Sequence, residues 1–225
     1  MKTWAAHLIS FYRTLQPPKI LPGNIEWLYP QQDALVMDVV GLFLNKFYND
    51  AMPRRIFLGI NPGRFGAGVT GINFTAPKQL KENCGIEHPF KNQSELSAEF
   101  IYQMIAAYGD PQKFYAQFFF GSACPLGFVQ NGKNLNYYDD KELLKTVEPF
   151  MVESLENLLS FNADRSVCFI IGGEKNYKYL SVLNEKHQWF QKMVPLPHPR
   201  FIMQYKRKQV AEFIEQYLHA INPKK

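Results

Sequence analysis

Two polar residues lie where apolar segments end, and their side chains could perform chemistry. Asn61 directly follows the apolar run IFLGI, and the Pro-Gly pair behind it predicts a sharp turn. An asparagine amide donates and accepts hydrogen bonds, so Asn61 could orient a water molecule; the alternative is that it only binds backbone groups of its own turn. His198 stands between two prolines, which restrict its backbone and exclude it from an ordinary helix.

The other four histidines have plainer settings. His7 and His219 fall within terminal helical segments, His187 lies near a helix end, and His88 lies in a loop. Only His198 combines the end of a strand, a rigid loop and nearby cations. It is therefore the candidate catalytic histidine, with a structural role in its loop as the alternative.

A glycine stretch, GAGVTG at residues 66–71, has the G-x-G-x-x-G spacing of a dinucleotide-binding turn. Its surroundings do not fit that motif. Five residues separate the preceding strand from the first glycine, no amphipathic helix follows, and no second strand ending in an acidic residue appears about 20 residues later. A nucleotide- or dinucleotide-binding enzyme that uses Gly66–Gly71 is therefore the least favoured alternative.

The composition is that of a folded chain with a mild excess of positive charge. The 225 residues are 46% hydrophobic and 15% aromatic, which supports a substantial core and argues against disorder. The net charge of +5 and the pI near 9.0 permit an anionic partner such as nucleic acid without requiring one. No apolar run approaches about 18 residues, and the N-terminal segment reads as an amphipathic helix and not as a signal peptide, so we expect a cytoplasmic protein without a membrane span.

Three cysteines, Cys84, Cys124 and Cys168, are odd in number and widely spaced. They lack the paired spacing of a zinc site, and three thiols are too few for an ordinary four-cysteine iron–sulfur cluster. We therefore expect reduced structural thiols, and neither a metal nor another cofactor.

Strand-like apolar segments alternate with helical ones along the chain. Strands are predicted at 54–60, within 114–126, at 166–173 and within 189–199. Helices are predicted at 33–50, 94–109, 139–161 (one helix interrupted near Pro149, or two), 174–186 and 205–221. The alternation predicts an α/β protein, a three-layer α/β/α sandwich around a central, mainly parallel four-stranded sheet. We expect a single domain over residues 1–225 with an N-terminal helical extension over about 1–50.

The segments that follow the predicted strands resemble motifs of the uracil-DNA glycosylase superfamily. Residues 59–74, GINPGRFGAGVTGINF, resemble the first active-site motif of its single-strand-selective monofunctional branch, G-M-N-P-G-P-F-G-x-x-x-T-G-x-P-F. A second resemblance covers residues 119–128 and 131–135, where FFGSACPLGF with NGKNL is similar to F-V-x-N-x-C-P-L…G-x-N-L. The segment CFIIGGEKN is similar to the family's strand and turn V-V-x-V-G, and LPHPR (196–200) is similar to its H-P-S-P-R loop. The order agrees over about residues 55–215, and the second-type branch of bacteria is the most similar.

The resemblance implies a monofunctional DNA glycosylase of base excision repair, which flips a damaged base out of DNA and hydrolyses its N-glycosidic bond. It implies that Asn61 positions the attacking water and that His198 hydrogen-bonds O2 of the departing pyrimidine. Phe74 matches the aromatic residue that stacks on the flipped base, with core packing as the alternative. Ile60 and Gly63 would line the substrate site. A glycine at 63, where classical uracil enzymes carry Tyr, leaves room for 5-substituted uracils such as 5-hydroxymethyluracil.

Two departures from the motifs bear on specificity and on DNA binding. Ser122 stands where the relatives have an Asn that reads the Watson–Crick edge, and a hydroxyl cannot make the bidentate contact of an amide. Other deaminated bases, xanthine included, thereby become candidate substrates. The segment after His198 also differs. It offers candidate wedge residues, Arg200, Phe201 and Ile202, and candidate phosphate contacts, Lys206, Arg207 and Lys208, unless these last three only begin the final helix in solvent.

The reaction type follows from what the loops lack. No lysine in them is placed for a Schiff base, which favours a monofunctional enzyme, and no acidic residue follows Asn61 closely enough to be an obvious general base. The implied partner is single- or double-stranded DNA, bound by a monomer. The main alternative is a catalytically inactive nucleic-acid-binding protein of the same fold.

Overall fold

The structure, a computed structural model, describes residues 2–222. Its helices are α1 (Trp4–Thr14), α2 (Ala34–Phe47), α3 (Ala67–Thr70), α4 (Pro77–Glu82), α5 (Leu96–Tyr108), α6 (Pro111–Tyr115), α7 (Lys141–Leu159), α8 (Gly173–His187), α9 (Pro199–Tyr205) and α10 (Val210–Ile221). Its strands are β1 (Ile25–Leu28), β2 (Arg54–Gly59), β3 (Phe118–Ser122), β4 (Gly127–Gln130), β5 (Lys133–Leu135), β6 (Ala163–Ile171) and β7 (Met193–Leu196). Short 3₁₀ turns lie at Pro30–Gln32 and Arg207–Gln209.

Four strands form the central sheet, in the order β3-β2-β6-β7 with every neighbouring pair parallel. The strands β2 and β3 and the second half of β6 form nearly continuous apolar runs, and Ile56, Phe57, Phe118 and Phe169 are each 0% exposed. Such runs are typical of parallel strands that helices cover on both faces, because neither face of the strand meets water. The predicted three-layer α/β/α fold is therefore confirmed.

A second, antiparallel sheet, in the order β1-β4-β5, lies outside the sequence prediction. Asn131 and Gly132 connect β4 to β5 and both have positive φ, 49° and 70°, as a tight hairpin turn requires. The first 50 residues are consequently more than a helical extension, because β1 pairs with β4 and Trp4 of α1 is fully buried in the core.

Helices α7, α9 and α10 differ from the sequence prediction. Helix α7 is continuous across Pro149, which lies in its interior. Residues 199–205 form helix α9 where a loop was expected, and the last helix begins at Val210 and not at 205. Within α9 the side chain of Ile202 is 0% exposed, so Ile202 belongs to the core and the interpretation of it as a wedge is wrong.

The three cysteines are free and buried. Burial raises the pKa of the Cys84 and Cys124 thiols to about 12 and that of Cys168 well above its ordinary value, so none forms a thiolate near neutral pH. Among residues 2–222, no helix has the length and apolar character needed to cross a membrane.

Candidate active site

The predicted catalytic and substrate-binding residues line one open cavity at the carboxyl edge of the parallel sheet, whereas Ile202, Lys206, Arg207 and Lys208 lie outside its lining. Asn61 follows β2, Ser122 ends β3 and His198 follows β7. These residues line a cavity of about 480 Å³ together with Ile60, Gly63, Phe74, Arg200 and Phe201. Parallel strands bring their carboxyl ends to one edge, which is why residues so distant in sequence meet there. The volume is within the range of sites that hold small organic groups.

The amide of Asn61 is held from two sides. Its Oδ1 accepts a hydrogen bond from the backbone N–H of Tyr137 at 3.1 Å, and its Nδ2 donates to the carbonyl of Leu135 at 3.1 Å. Tyr137 is fixed in turn, because its hydroxyl donates to Oδ1 of the buried Asn176 at 2.7 Å. Both partners lie more than 70 residues from Asn61, and the contact within its own turn, from Nδ2 to the carbonyl of Pro62, is longer at 3.4 Å. Asn61 is therefore held by more than its own turn, and Oδ1 keeps a second lone pair that can accept from a water in the cavity.

His198 is positioned by helix α9, which begins at the next residue, and by helix α10. Its Nδ1 accepts a hydrogen bond from the backbone N–H of Arg200 at 3.1 Å, which makes His198 the N-cap of α9. The carbonyl of Pro197 accepts from the Tyr217 hydroxyl at 2.5 Å, and this contact ties the loop to α10. Since a backbone N–H can only donate, Nδ1 is unprotonated and the ring proton sits on Nε2.

The electrostatic setting of His198 agrees with that tautomer. Burial, and secondly the positive charge of Arg200, lower the pKa of His198 from 6.5 to about 4. A cation in a poorly hydrated site is disfavoured, and a neighbouring cation disfavours it further. At neutral pH the imidazole is therefore uncharged and its Nε2–H is available as a donor, a protonation state that the sequence left open.

Phe74 has a strained backbone, with φ at 54° in the left-handed region. That region costs a bulky residue about 1–2 kcal/mol, so surrounding contacts must hold it there. Its ring packs against Phe120 with centroids 5.3 Å apart, and Gly59 makes room for it, because a Cβ at 59 would lie 2.9 Å from the ring. The ring also lines the cavity, so core packing and access to a bound base coexist.

Ser122 is paired with an asparagine that the sequence interpretation missed. The Ser122 hydroxyl donates to Oδ1 of Asn73 at 3.0 Å, and Nδ2 of Asn73 donates to the carbonyl of Phe120 at 3.2 Å. Both side chains line the cavity. A signal for Asn73 was present, since residues 72–74 read I-N-F where the family motif reads x-P-F.

The wall beside Gly63 is formed by Asn134, a second residue that the sequence interpretation missed. Its Oδ1 accepts from the backbone N–H of Arg64 at 3.1 Å. A Cβ added at Gly63 would lie 3.3 Å from Nδ2 of Asn134, so a large side chain at 63 would have to extend into the cavity or displace Asn134. The glycine therefore keeps this part of the cavity open.

One carboxylate, that of Glu95, lines the cavity within the described part of the chain. Its Oε2 accepts from the backbone N–H groups of Ser97 at 2.9 Å and Ala98 at 3.2 Å, and its Oε1 accepts from the Ser97 hydroxyl at 3.0 Å. Glu95 is thus the N-cap of α5. These contacts hold the carboxylate in its capping position, and Oε1, which accepts one hydrogen bond, keeps a lone pair for a further donor.

Gly68 and Gly71 serve packing within the protein, whereas Gly66 lines the cavity and an added Cβ there would meet only Glu95, at 3.8 Å. Helix α3 contains four residues and ends at Gly71, so the long helix that a dinucleotide turn requires is missing. Gly71 has φ of 71°, and a Cβ there would lie 2.8 Å from Val40. A Cβ at Gly68 would lie 2.8 Å from the carbonyl oxygen of Gly63. This close approach to protein atoms removes the basis for the cofactor alternative.

The rim of the cavity carries exposed aromatic and basic side chains. Phe201 and Tyr205 of α9 are 45% and 66% exposed, and their ring centroids are 5.7 Å apart. Across the rim, Phe65 is 50% exposed beneath the guanidinium of Arg64, 5.0 Å from the ring centre. The cations Lys206, Arg207 and Lys208 are exposed in the link between α9 and α10, ahead of the final helix and not within it.

Comparisons with known proteins agree with the fold. The family model described as the Uracil DNA glycosylase superfamily matches residues 46–222. The chain therefore belongs to the uracil-DNA glycosylase superfamily, as its motifs predict.

Within that superfamily, the crystal structure of wild-type SMUG2 from Pedobacter heparinus is similar along nearly the whole chain. The two chains are 40% identical with a TM-score of 0.95, over 99% of this chain and 98% of that one. The single-strand selective monofunctional uracil-DNA glycosylases of Rattus norvegicus and Mus musculus are each 34% identical, over 102 and 98 residues. The matched part spans only 37% of the rat protein and 35% of the mouse protein.

Proposed function

We propose that this chain is a monofunctional DNA glycosylase that removes uracil and related damaged bases, with 5-hydroxymethyluracil and xanthine among them, in base excision repair. One observation carries the proposal: Asn61 and a neutral His198 both line a cavity of about 480 Å³ in a chain of the uracil-DNA glycosylase superfamily. The cavity accommodates one flipped nucleotide, and chemistry on a base requires its removal from the stack.

In the proposed reaction, a water oxygen bonds to C1′ of the sugar while the bond from C1′ to the base nitrogen breaks. The electron pair of that bond leaves with the base, and the proton released by the water passes to solvent. Asn61 accepts a hydrogen bond from the water through the free lone pair of Oδ1. His198 donates from Nε2–H to O2 of the pyrimidine, where negative charge develops. A preorganised donor of this kind contributes about 10²–10³-fold to a rate.

The remaining cavity residues set which base fits. Phe74 stacks on the base, a contact worth about 1–3 kcal/mol per base in nucleic-acid binding. Gly63 leaves space for a substituent at C5, Ile60 forms part of the apolar floor, and Ser122 faces the Watson–Crick edge. A chain with these features tolerates 5-substituted uracils beside uracil.

The rim and the segment behind it bind DNA. Arg200 and Phe201 insert where the base has left the stack, as apolar wedges do in proteins that bend DNA. Lys206, Arg207 and Lys208 contact phosphates, which position the protein without reading sequence. We propose that the enzyme acts as a cytoplasmic monomer without a metal or organic cofactor.

The test is release of labelled base from oligonucleotides that contain uracil, 5-hydroxymethyluracil or xanthine, in the presence of a metal chelator. Wild type should release uracil, while Asn61→Ala and His198→Ala should each lose most of the activity. Asn184→Ala is a matched control, because Asn184 also binds backbone groups, the N–H and carbonyl of Phe190, but does not line the cavity. Wild type that binds DNA yet leaves all three substrates intact would favour the inactive nucleic-acid binder.

A further inference from the structure

We infer that Asn73 is a positioning residue for base recognition, which turns the lone pairs of the Ser122 hydroxyl toward the cavity so that the pair selects bases with a ring N–H on the Watson–Crick edge. The inference rests on the proposed function and deepens it, because it names the chemical feature by which the cavity accepts its substrates.

The direction of each hydrogen bond around Asn73 is fixed by its partners. The carbonyl of Phe120 can only accept, so the amide must turn its Nδ2 toward it, at 3.2 Å. Oδ1 then faces Ser122 at 3.0 Å and has no proton to give. The Ser122 hydroxyl must therefore be the donor. Its one proton is committed to Asn73, and its oxygen is left with lone pairs alone for a ligand in the cavity.

A hydroxyl held as an acceptor distinguishes bases at one atom. Uracil carries N3–H between two carbonyls, xanthine presents the same N–H between carbonyls, and a substituent at C5 of uracil leaves N3–H in place. Cytosine instead presents an unprotonated N3, whose lone pair would face the lone pairs of Ser122. A site built to pair with one hydrogen-bonding group rejects a ligand that lacks it, because buried polar atoms are then left unpaired.

The two residues depart from the family motifs together. The motif that residues 59–74 resemble has proline where this chain has Asn73, and the motif that residues 119–128 resemble has asparagine where this chain has Ser122. The amide missing at 122 is thus replaced by an amide at 73, and the two side chains are in contact. Asn73 also precedes Phe74, so one turn places both the acceptor pair and the stacking ring.

The experiment compares wild type, Asn73→Ala, Ser122→Ala and the double variant in single-turnover uracil release, with Asn184→Ala as the control for loss of an asparagine contact outside the cavity. Loss of one neutral hydrogen-bonding group predicts a slowing of about tenfold for Asn73→Ala. The double variant should be no slower than the slower single variant, because the residues act as one pair. Asn184→Ala should keep the wild-type rate.

A second readout separates positioning from mere structural support. In an Asn61→Ala background, affinities for single-stranded oligonucleotides with uracil or cytosine at one position are measured. Asn73→Ala should reduce the ratio of the affinity for uracil to the affinity for cytosine about tenfold. The reason is that the freed Ser122 hydroxyl can rotate and donate to N3 of cytosine. The exchange of both positions to the family residues, Asn73→Pro with Ser122→Asn, should restore the preference.

The outcomes distinguish this inference from the proposed function. If wild type releases no base, the proposed function fails, while the binding comparison still tests the pair. If wild type is active and folded Asn73→Ala keeps both its uracil rate within twofold and its preference over cytosine, the inference is wrong. The inference is also wrong if Asn73→Ala releases uracil more slowly but keeps its preference for uracil over cytosine, and the losses of rate in the two single variants add up in the double variant. Asn73 would then be only a structural contact.

Discussion

The neutral state of His198 yields a prediction that the pH dependence of catalysis can test. With a pKa of about 4, roughly 0.1% of the imidazole is protonated at pH 7, whereas the ordinary value of 6.5 would give about a quarter. The neutral fraction at pH 5.5 is already about 97%. Donation from neutral Nε2–H therefore predicts a rate that shows no titration of His198 between pH 5.5 and 8.

The assay is single-turnover release of uracil with enzyme in excess, so that product release does not mask the chemical step. The pKa is measured in parallel by following the His198 ring resonance, assigned by its loss in His198→Asn. Arg200→Gln should raise the pKa partway toward 6.5 and no further, because burial is the larger cause and remains. His198→Asn keeps a side-chain acceptor for the N-cap of α9, so it should lose activity with less loss of stability than His198→Ala.

A cationic role for His198 would give the opposite profile. The charged fraction of a histidine with a pKa of 6.5 falls about thirtyfold between pH 5.5 and 8, and the rate would fall with it. Such a decline, centred on the measured pKa of His198, would refute the reasoning. The pH dependence of folding stability checks the direction of the pKa shift of His198. Between pH 6.5 and about 4 the unfolded chain binds more protons at this residue than the folded chain, so His198 makes the fold less stable as pH falls through that window.

Three further predictions concern the reaction, the rim and the basic segment. Asn61→Ala should slow single-turnover uracil release about 10²–10³-fold while affinity for uracil-containing DNA stays within a few fold, because the proposed role of Asn61 is to position the water. Phe201→Ala should weaken DNA binding by about 1–3 kcal/mol in a fluorescence titration without lowering the melting temperature. Ile202→Ala truncates a buried side chain, so it should instead lose about 2–5 kcal/mol of folding stability. Replacement of Lys206, Arg207 and Lys208 by Gln should make the slope of log affinity against log salt shallower, and an unchanged slope would show that these cations do not contact phosphates.

The central sheet could be predicted because each of its strands is a run of large apolar side chains between helical segments. The second sheet could not, because β1, β4 and β5 contain only three or four residues each, too few to show an alternating pattern. The one local signal was Asn131-Gly132, a dipeptide typical of two-residue hairpins. Pairing of β1 with β4 joins residues about 100 apart in sequence, and nothing local specifies it.

Site residues were found where a local rule places them. Asn61, Ser122 and His198 all follow or end parallel strands, and the carboxyl ends of such strands share one edge. Asn73 and Glu95 lie on other elements and reach the cavity only through tertiary packing, so strand ends did not reveal them. The error at Ile202 has a local cause as well. A proline at the first helical position after a capping residue is a helix start, and the segment after His198 was interpreted as a loop.

The glycine stretch at 66–71 gives a prediction that separates packing from ligand binding. Gly71 caps α3 with φ of 71°, and a Cβ there would lie 2.8 Å from Val40 and 2.9 Å from Val36 on α2. Gly71→Ala therefore combines left-handed strain with overpacking, and each costs about 1–3 kcal/mol. Gly41 is the matched control: it lies inside α2 with no atom within 4 Å of an added Cβ, so Gly41→Ala should stabilise the protein by about 0.5–1 kcal/mol.

Chemical denaturation and uracil release together decide the role of Gly71. If the glycine serves packing, Gly71→Ala should lower the free energy of unfolding by at least about 2 kcal/mol, whether or not DNA is present. Uracil release at low temperature, where the variant is still folded, should remain within a few fold of wild type, since Gly71 does not line the cavity. A variant with wild-type stability that has lost affinity for DNA would instead place the loop backbone against the ligand. That result would favour a role of Gly71 in binding, because the added Cβ would then collide with the ligand and not with Val36 or Val40.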